Sequence, residues 1–250
     1  MWVILWYRSF FFYLQKVFYN DTITKQKGQI GQCGGTVMKY IFLHGLGQIA
    51  SDWSETVKDM KGDVLCPNLS EWVLGKEASY GNLYRALEEY CEAQKESLHL
   101  CGLSLGGILA LQYALEHPQK VASVVLIGTQ YVMPKRLLKF QNLMFHIMPR
   151  SVFQNMGFQK KAFISLCSSM MHLDFSQKLE KIRCRVLVVC GEKDKVNLPA
   201  SRRLKEQIEQ AKIVMVPNAG HEVNKENPAE LRRILTRFYG ECENSINCQR

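Results

Sequence analysis

The strongest constraint on what this chain can fold into is an alternation that begins at Lys39. Short apolar runs, Lys39–Leu43, Asp63–Cys66, Leu98–Leu103, Val121–Ile127, Arg185–Cys190 and Lys212–Val216, are separated by longer amphipathic stretches. Runs that are apolar throughout, rather than every second residue, predict strands covered on both faces, which is the signature of a mostly parallel sheet flanked by helices. The intervening stretches supply the helices. Tyr80–Lys95 places Leu83, Leu87 and Tyr90 or Cys91 on one face, and Gly106–Glu116 is rich in Leu and Ala and stops at His117-Pro118. Pro199–Gln210 and Pro228–Phe238 both open on proline, whose missing N–H costs nothing in a first turn. The class is α/β, and 250 residues suit one domain.

Composition narrows the partners. Hydrophobic residues at 47% and charged residues at 22% are ordinary for a soluble globular chain. The formal charge of +9 is scattered rather than gathered in an arm, so no nucleic-acid partner is expected. One local bias stands out: no Asp or Glu lies between His117 and Asp174, while Lys120, Lys135, Arg136, Lys139, Arg150, Lys160 and Lys161 all do. The nine cysteines form no C-x-x-C pair or His/Cys cluster, and Cys101, Cys184 and Cys190 lie in or beside apolar runs. They read as reduced core thiols, which points to the cytoplasm.

Two segments break the rhythm. Residues 1–37 read as an N-terminal extension: Met1–Tyr19 is apolar and aromatic but interrupted by Arg8, Gln15 and Lys16, and Asn20–Val37 is a polar, Gly-rich linker. Membrane association through residues 1–19 is the alternative to a soluble location, and Met38 is expected to be the first residue of the folded unit, 38–250. Gln130–Phe175, a cap spanning about 130–175, has helical spacing, Pro134, Pro149 and six methionines, with no convincing strand. An all-helical insertion after a central strand reads as a cover over a site, although a Met-rich stripe is more often plain core.

The chemistry concentrates in one constellation. A hydroxyl becomes a nucleophile only with a base, an acid to orient that base, and donors for the oxyanion. Gly102-Leu103-Ser104-Leu105-Gly106 directly follows the strand LHLCG and precedes the helix GGILALQYALEH, the setting of a nucleophile elbow. Chance supplies such a pentapeptide in roughly one chain in ten of this length, so the weight rests on the strand-motif-helix context.

With FLHGLG, LCGLSLGG, VVCGEKD and NAGHEVNKENP in this order, the chain from Met38 to about Tyr239 resembles the α/β-hydrolases, in particular small capped serine hydrolases and esterases. That resemblance implies an α/β-hydrolase fold with a short helical cap after the strand the family counts as its sixth, here Val121–Ile127. It implies Ser104 as nucleophile, Asp194 as acid and His221 as base, in the order this fold uses. Leu105 N–H is one expected oxyanion donor and Leu46 N–H the second, with Gly45, Gly102 and Gly106 as motif glycines. Glu192 is a rival to Asp194 two residues away. His44 fits the loop as a structural residue, and His146 and His172 lie in the cap. No histidine pair has metal-ligand spacing, and the implied chemistry needs no metal or cofactor. The resulting expectation is a serine esterase or thioesterase acting on a small acyl substrate through an acyl-enzyme. The alternatives are a non-catalytic binding protein on the same fold and a membrane-attached accessory protein.

Overall fold

Six strands form one sheet in the order β2-β1-β3-β4-β5-β6, every neighbouring pair parallel, in the computed structural model, which describes residues 38–153 and 156–247. They are β1 (Lys39–Leu43), β2 (Asp63–Leu65), β3 (Leu98–Leu103), β4 (Val121–Ile127), β5 (Arg185–Gly191) and β6 (Ala211–Val216), each within a residue of the apolar run that predicts it. The expected N-terminal extension and linker lie outside the described residues.

Side chains alternate across the sheet and feed two cores. Ile41, Leu43, Leu98, Leu100, Val124 and Val186 join one core with Leu83 and Leu87 of helix α2 (Tyr80–Glu92) and Leu109 of α3 (Leu105–Glu116). Tyr40, Phe42, Cys101, Val125, Leu187 and Val189 point to the other face, against Leu231, Leu235 and Phe238 of α8 (Pro228–Asn247). A short α1 (Ser54–Val57) and a short α7 (Val223–Glu226) pack on α8. This two-sided burial is why the strands lack polar alternation.

Local chemistry sets the helix ends. The Ser79 hydroxyl accepts the Asn82 N–H at 3.3 Å to start α2, and Asn227 Oδ1 accepts the Glu230 N–H at 3.3 Å to start α8. Helix α6 (Leu198–Gln207) stops three residues short of Gln210, because Ile208 turns to an extended backbone and buries its side chain. In contrast, α8 runs nine residues past Phe238, carrying Tyr239 and Cys242 into the core.

Between β4, the fourth strand of this chain, and β5 the chain makes a helical insert holding α4 (Lys135–Ile147) and α5 (Lys160–Met170). Its base is tied by an antiparallel bridge, Val132 to Asp174, flanked by Met133 N–H to Leu173 O at 3.0 Å and Phe175 N–H to Tyr131 O at 2.8 Å. Its core is aromatic: the rings of Phe145, Phe153 and Phe163 meet edge-on with centroids 4.9 to 6.0 Å apart. Met133, Met156 and Met170 are buried with them. Lys160 Nζ donates to the carbonyls of His146 and Met148, at 2.7 and 2.6 Å, and closes the end of α4. The described cysteines, Cys66, Cys91, Cys101, Cys167, Cys184, Cys190 and Cys242, are free thiols, all buried except the half-buried Cys66.

Candidate active site

All strands being parallel, their C-terminal ends share one edge, and the turns that leave it meet there. The strand order reverses between β1 and β3, where Leu43 pairs with Gly102; an open α/β sheet forms its binding crevice at such a switch point. The loops after β1, β3, β4, β5 and β6 carry residues 44–48, Ser104, Gly128, Asp194 and His221 to this edge.

Ser104 sits at the turn from β3 into α3 with φ 53° and ψ −111°, a conformation a non-glycine residue holds only under constraint, at a cost of roughly 1–3 kcal/mol. Its N–H donates to Ile127 O at 2.9 Å, which ties the turn to the end of β4. The flanking glycines give the turn its room: a side chain on Gly102 would run into the Gly106 carbonyl, and one on Gly106 into the Leu43 carbonyl. Beyond the turn, the Leu105 N–H belongs to the first turn of α3, where N–H groups have no partner within the helix.

Asp194 and His221 form a pair. Asp194 Oδ2 and His221 Nδ1 are 2.8 Å apart, with the carboxylate side chain 4% exposed and the imidazole 33%. Their order along the edge places the ring directly over Gly128, the residue after β4. A β-carbon there would stand 2.9 Å from His221 Nδ1 and 3.3 Å from Asp194 Oδ2. Ser104 and His221 therefore both abut the end of β4, at Ile127 and Gly128, although the Ser104 hydroxyl is not hydrogen-bonded to the ring. Burial works against the Asp194 charge, but the hydrogen bond and charge of His221, with the Asn197 amide, outweigh it and hold the carboxyl below its ordinary value. Burial likewise opposes a charged His221; the Asp194 hydrogen bond and the negative charges of Asp194, Glu222 and Glu226 prevail and raise its pKa. Glu192 lies exposed, its carboxylate accepting the Asn218 N–H at 3.1 Å, away from the imidazole.

Two residues that the sequence reading does not single out complete this geometry. Asn197 Nδ2 donates to both carboxylate oxygens of Asp194, at 2.9 and 2.8 Å, and Asn197 Oδ1 accepts from Gln130 Nε2 at 2.8 Å. The clue was present as an Asp-x-x-Asn turn, in which the Asn197 N–H also reaches Asp194 Oδ1. Gln48 is buried; its Oε1 accepts the Gly45 N–H at 3.1 Å, and its Nε2 donates to Glu222 Oε1 and Asn224 Oδ1, both at 3.1 Å. It thereby ties the loop after β1 to the loop that carries His221. His44 holds the same loop: Nδ1 donates to Gly45 O at 2.9 Å and Nε2 accepts the Leu69 N–H at 3.0 Å, an assignment of the neutral tautomer that agrees with the pKa lowered by burial. Leu46 is half-buried beside them.

The insert closes over this loop. The Phe163 ring and Met156 lie about 3.7 to 3.8 Å from where a Gly47 side chain would begin, and Gly157 approaches the Gln48 carbonyl. His146 and His172 are exposed on the insert. Among the described residues, one group brings possible metal-ligand atoms together, Glu88, Glu116 and His117, and it lies at the end of α3 remote from Ser104. Its members are already engaged, His117 with Glu88 at 3.1 Å and Glu116 with the Tyr84 hydroxyl at 2.6 Å.

The profile of the alpha/beta hydrolase family matches residues 40–234. The chain belongs to this family. Among curated relatives, this hydrolase is 22% identical to the monoacylglycerol lipase ABHD6 of Bos taurus, over 65% of this chain and 60% of that protein. It is 21% identical to a putative 2-succinyl-6-hydroxy-2,4-cyclohexadiene-1-carboxylate synthase of Bacillus subtilis, over 60% and 69%. It spans about 60% of the length of the lipases it matches. Among solved structures, the enol-lactonase of Burkholderia xenovorans LB400 superposes with a TM-score of 0.70 at 17% identity, covering 84% of this chain and 94% of that one. An esterase of Thermogutta terrifontis gives 0.66 at 17% identity, covering 83% and 91%.

Proposed function

We propose that this hydrolase cleaves a carboxylic ester or thioester through an acyl-enzyme on Ser104. The observation that carries the reading is the convergence at one sheet edge of a strained serine turn and a buried carboxylate hydrogen-bonded to an imidazole. With Nδ1–H committed to Asp194, Nε2 is the free nitrogen of His221 and takes the Ser104 proton as the oxygen attacks the carbonyl carbon. The N–H groups of Leu46 and Leu105 receive the developing oxyanion; one such donor is worth about 3 kcal/mol of transition-state stabilisation. His221 then protonates the departing alcohol or thiol. Water, deprotonated by His221, attacks the acyl carbon, and the bond to Ser104 breaks as the His221 imidazolium returns the proton to the serine oxygen. No cofactor enters this scheme.

The helical insert acts as the cap. Phe163 and Met156 of the insert pack on the loop after β1, and an apolar cover of this kind suits a medium-length, mostly apolar acyl chain. Lipases and esterases among the relatives support ester hydrolysis as the reaction type. The reduced, buried thiols suit a cytoplasmic setting, and no described helix is long and apolar enough to cross a membrane.

The test is a panel of p-nitrophenyl esters of increasing chain length beside acyl-CoA thioesters, with fluorophosphonate labelling of the wild type and Ser104→Ala. Turnover and label that both vanish in a folded Ser104→Ala protein are expected. Label that persists in the variant refutes the assignment.

A further inference from the structure

An amphipathic helix normally turns its apolar stripe inward, and α4 does so with Phe145, 1% exposed. Yet its outward face is apolar too. Arg136, Phe140, Leu143 and Ile147 follow one another at helical spacing of four, three and four residues, and the last three are 39%, 58% and 70% exposed. Lys135, Lys139 and His146, all exposed, run beside this crest. Arg150 and Lys161 add exposed cations in the segment that follows, and no carboxylate interrupts the stretch from His117 to Asp174.

We infer that this outer face of the insert docks on an anionic lipid surface. The crest is convex, three apolar side chains on one helix, and offers no groove for a complementary protein shape. A fluid bilayer needs none: it accepts the apolar tips among its acyl chains while its anionic head groups meet the flanking Lys and Arg side chains. Charge complementarity chooses this occupant, since a segment with only cations on its exposed face repels a second copy of itself. The inner side of the same insert packs on the loop after β1, so docking brings the lipid surface to the cover of the candidate site. This inference goes beyond the ester reading and stands without it, because it concerns where the chain sits rather than which bond it breaks.

Flotation of the full chain with phosphatidylcholine vesicles, with or without about one third phosphatidylserine, tests it against Leu143→Ser/Ile147→Ser and Lys135→Glu/Lys139→Glu. These positions are solvent-exposed, so melting temperature and turnover of a soluble p-nitrophenyl ester should match the wild type. Residues 1–19 are common to all three proteins, and the differences report the insert alone. Each variant is expected to bind anionic vesicles about tenfold more weakly or worse, with wild-type binding falling as salt rises. Wild-type flotation by both variants overturns the inference, as does equal wild-type binding to neutral and anionic vesicles. So does a loss of self-association in sedimentation with vesicle binding intact, which assigns the crest to a second copy. Loss of docking with soluble-ester turnover retained leaves the Ser104 reading untouched.

Discussion

Replacing Gly128 with alanine tests the geometry of the site without touching any group assigned to chemistry. The new β-carbon would stand 2.9 Å from His221 Nδ1 and 3.0 Å from Cε1, where ordinary contact begins near 3.4 Å, so the ring must retreat by about 0.5 Å. A misplacement of about 1 Å in a catalytic constellation costs on the order of a hundredfold, so a retreat of half that should lower kcat about tenfold. Gly128 also has φ +53°, where alanine costs roughly 1–2 kcal/mol, or about 2–8 °C of melting temperature in a domain of this size. Gly75→Ala separates the two effects: its φ is +73°, but nothing lies within 4 Å of the added carbon. Both variants are expected to melt several degrees low, and only Gly128→Ala to lose kcat on a soluble ester, with KM little changed. A Gly128→Ala enzyme as active as Gly75→Ala would refute the placement of the imidazole as the working base.

Asp194→Asn should lower kcat by about four orders of magnitude, because the amide favours the wrong imidazole tautomer. In the wild type the acid limb of kcat/KM should have its midpoint above 6.5, since the base must be neutral and the pKa of His221 is raised; in Asp194→Asn the limb should move to lower pH. The same pair contributes to stability in opposite senses: His221 below its ordinary pKa of 6.5, lost as pH rises through its raised folded value, and Asp194 above 3.8, lost as pH falls through its lowered one. Thermal melts across pH would show both slopes. Gln48→Ala leaves the Gly45 N–H and Asn224 without their buried partner, and a loss of about 1–3 kcal/mol in stability is expected together with a fall in kcat. Unchanged stability would show that water replaces the amide.

Much of this architecture was legible in the residues alone. Apolar runs without polar alternation can be satisfied only between two helix layers, so the strands and the α/β class followed from local pattern. The serine turn was legible because Gly102 and Gly106 flank Ser104 within one strand-to-helix turn; the contact of Gly102 with Gly106 is local, whereas that of Gly106 with Leu43 comes from the neighbouring strand β1. Helix ends were less so: α8 continues past Phe238 because the sheet's second face needs Tyr239 and Cys242, a demand made by distant residues.

What only the tertiary structure decided is which groups meet. Asp194 and Glu192 are rival carboxylates two residues apart, and the turn after β5 buries the first against His221 and sends the second to solvent. Gln48 and Gly128 matter through partners far away in sequence, and Asn197 joins the neighbouring Asp194 to the distant Gln130. The periodicity of α4 declares two apolar stripes without saying which one the insert buries. In each case the deciding quantity is a distance between loops set by sheet order, and a one-dimensional pattern does not carry it.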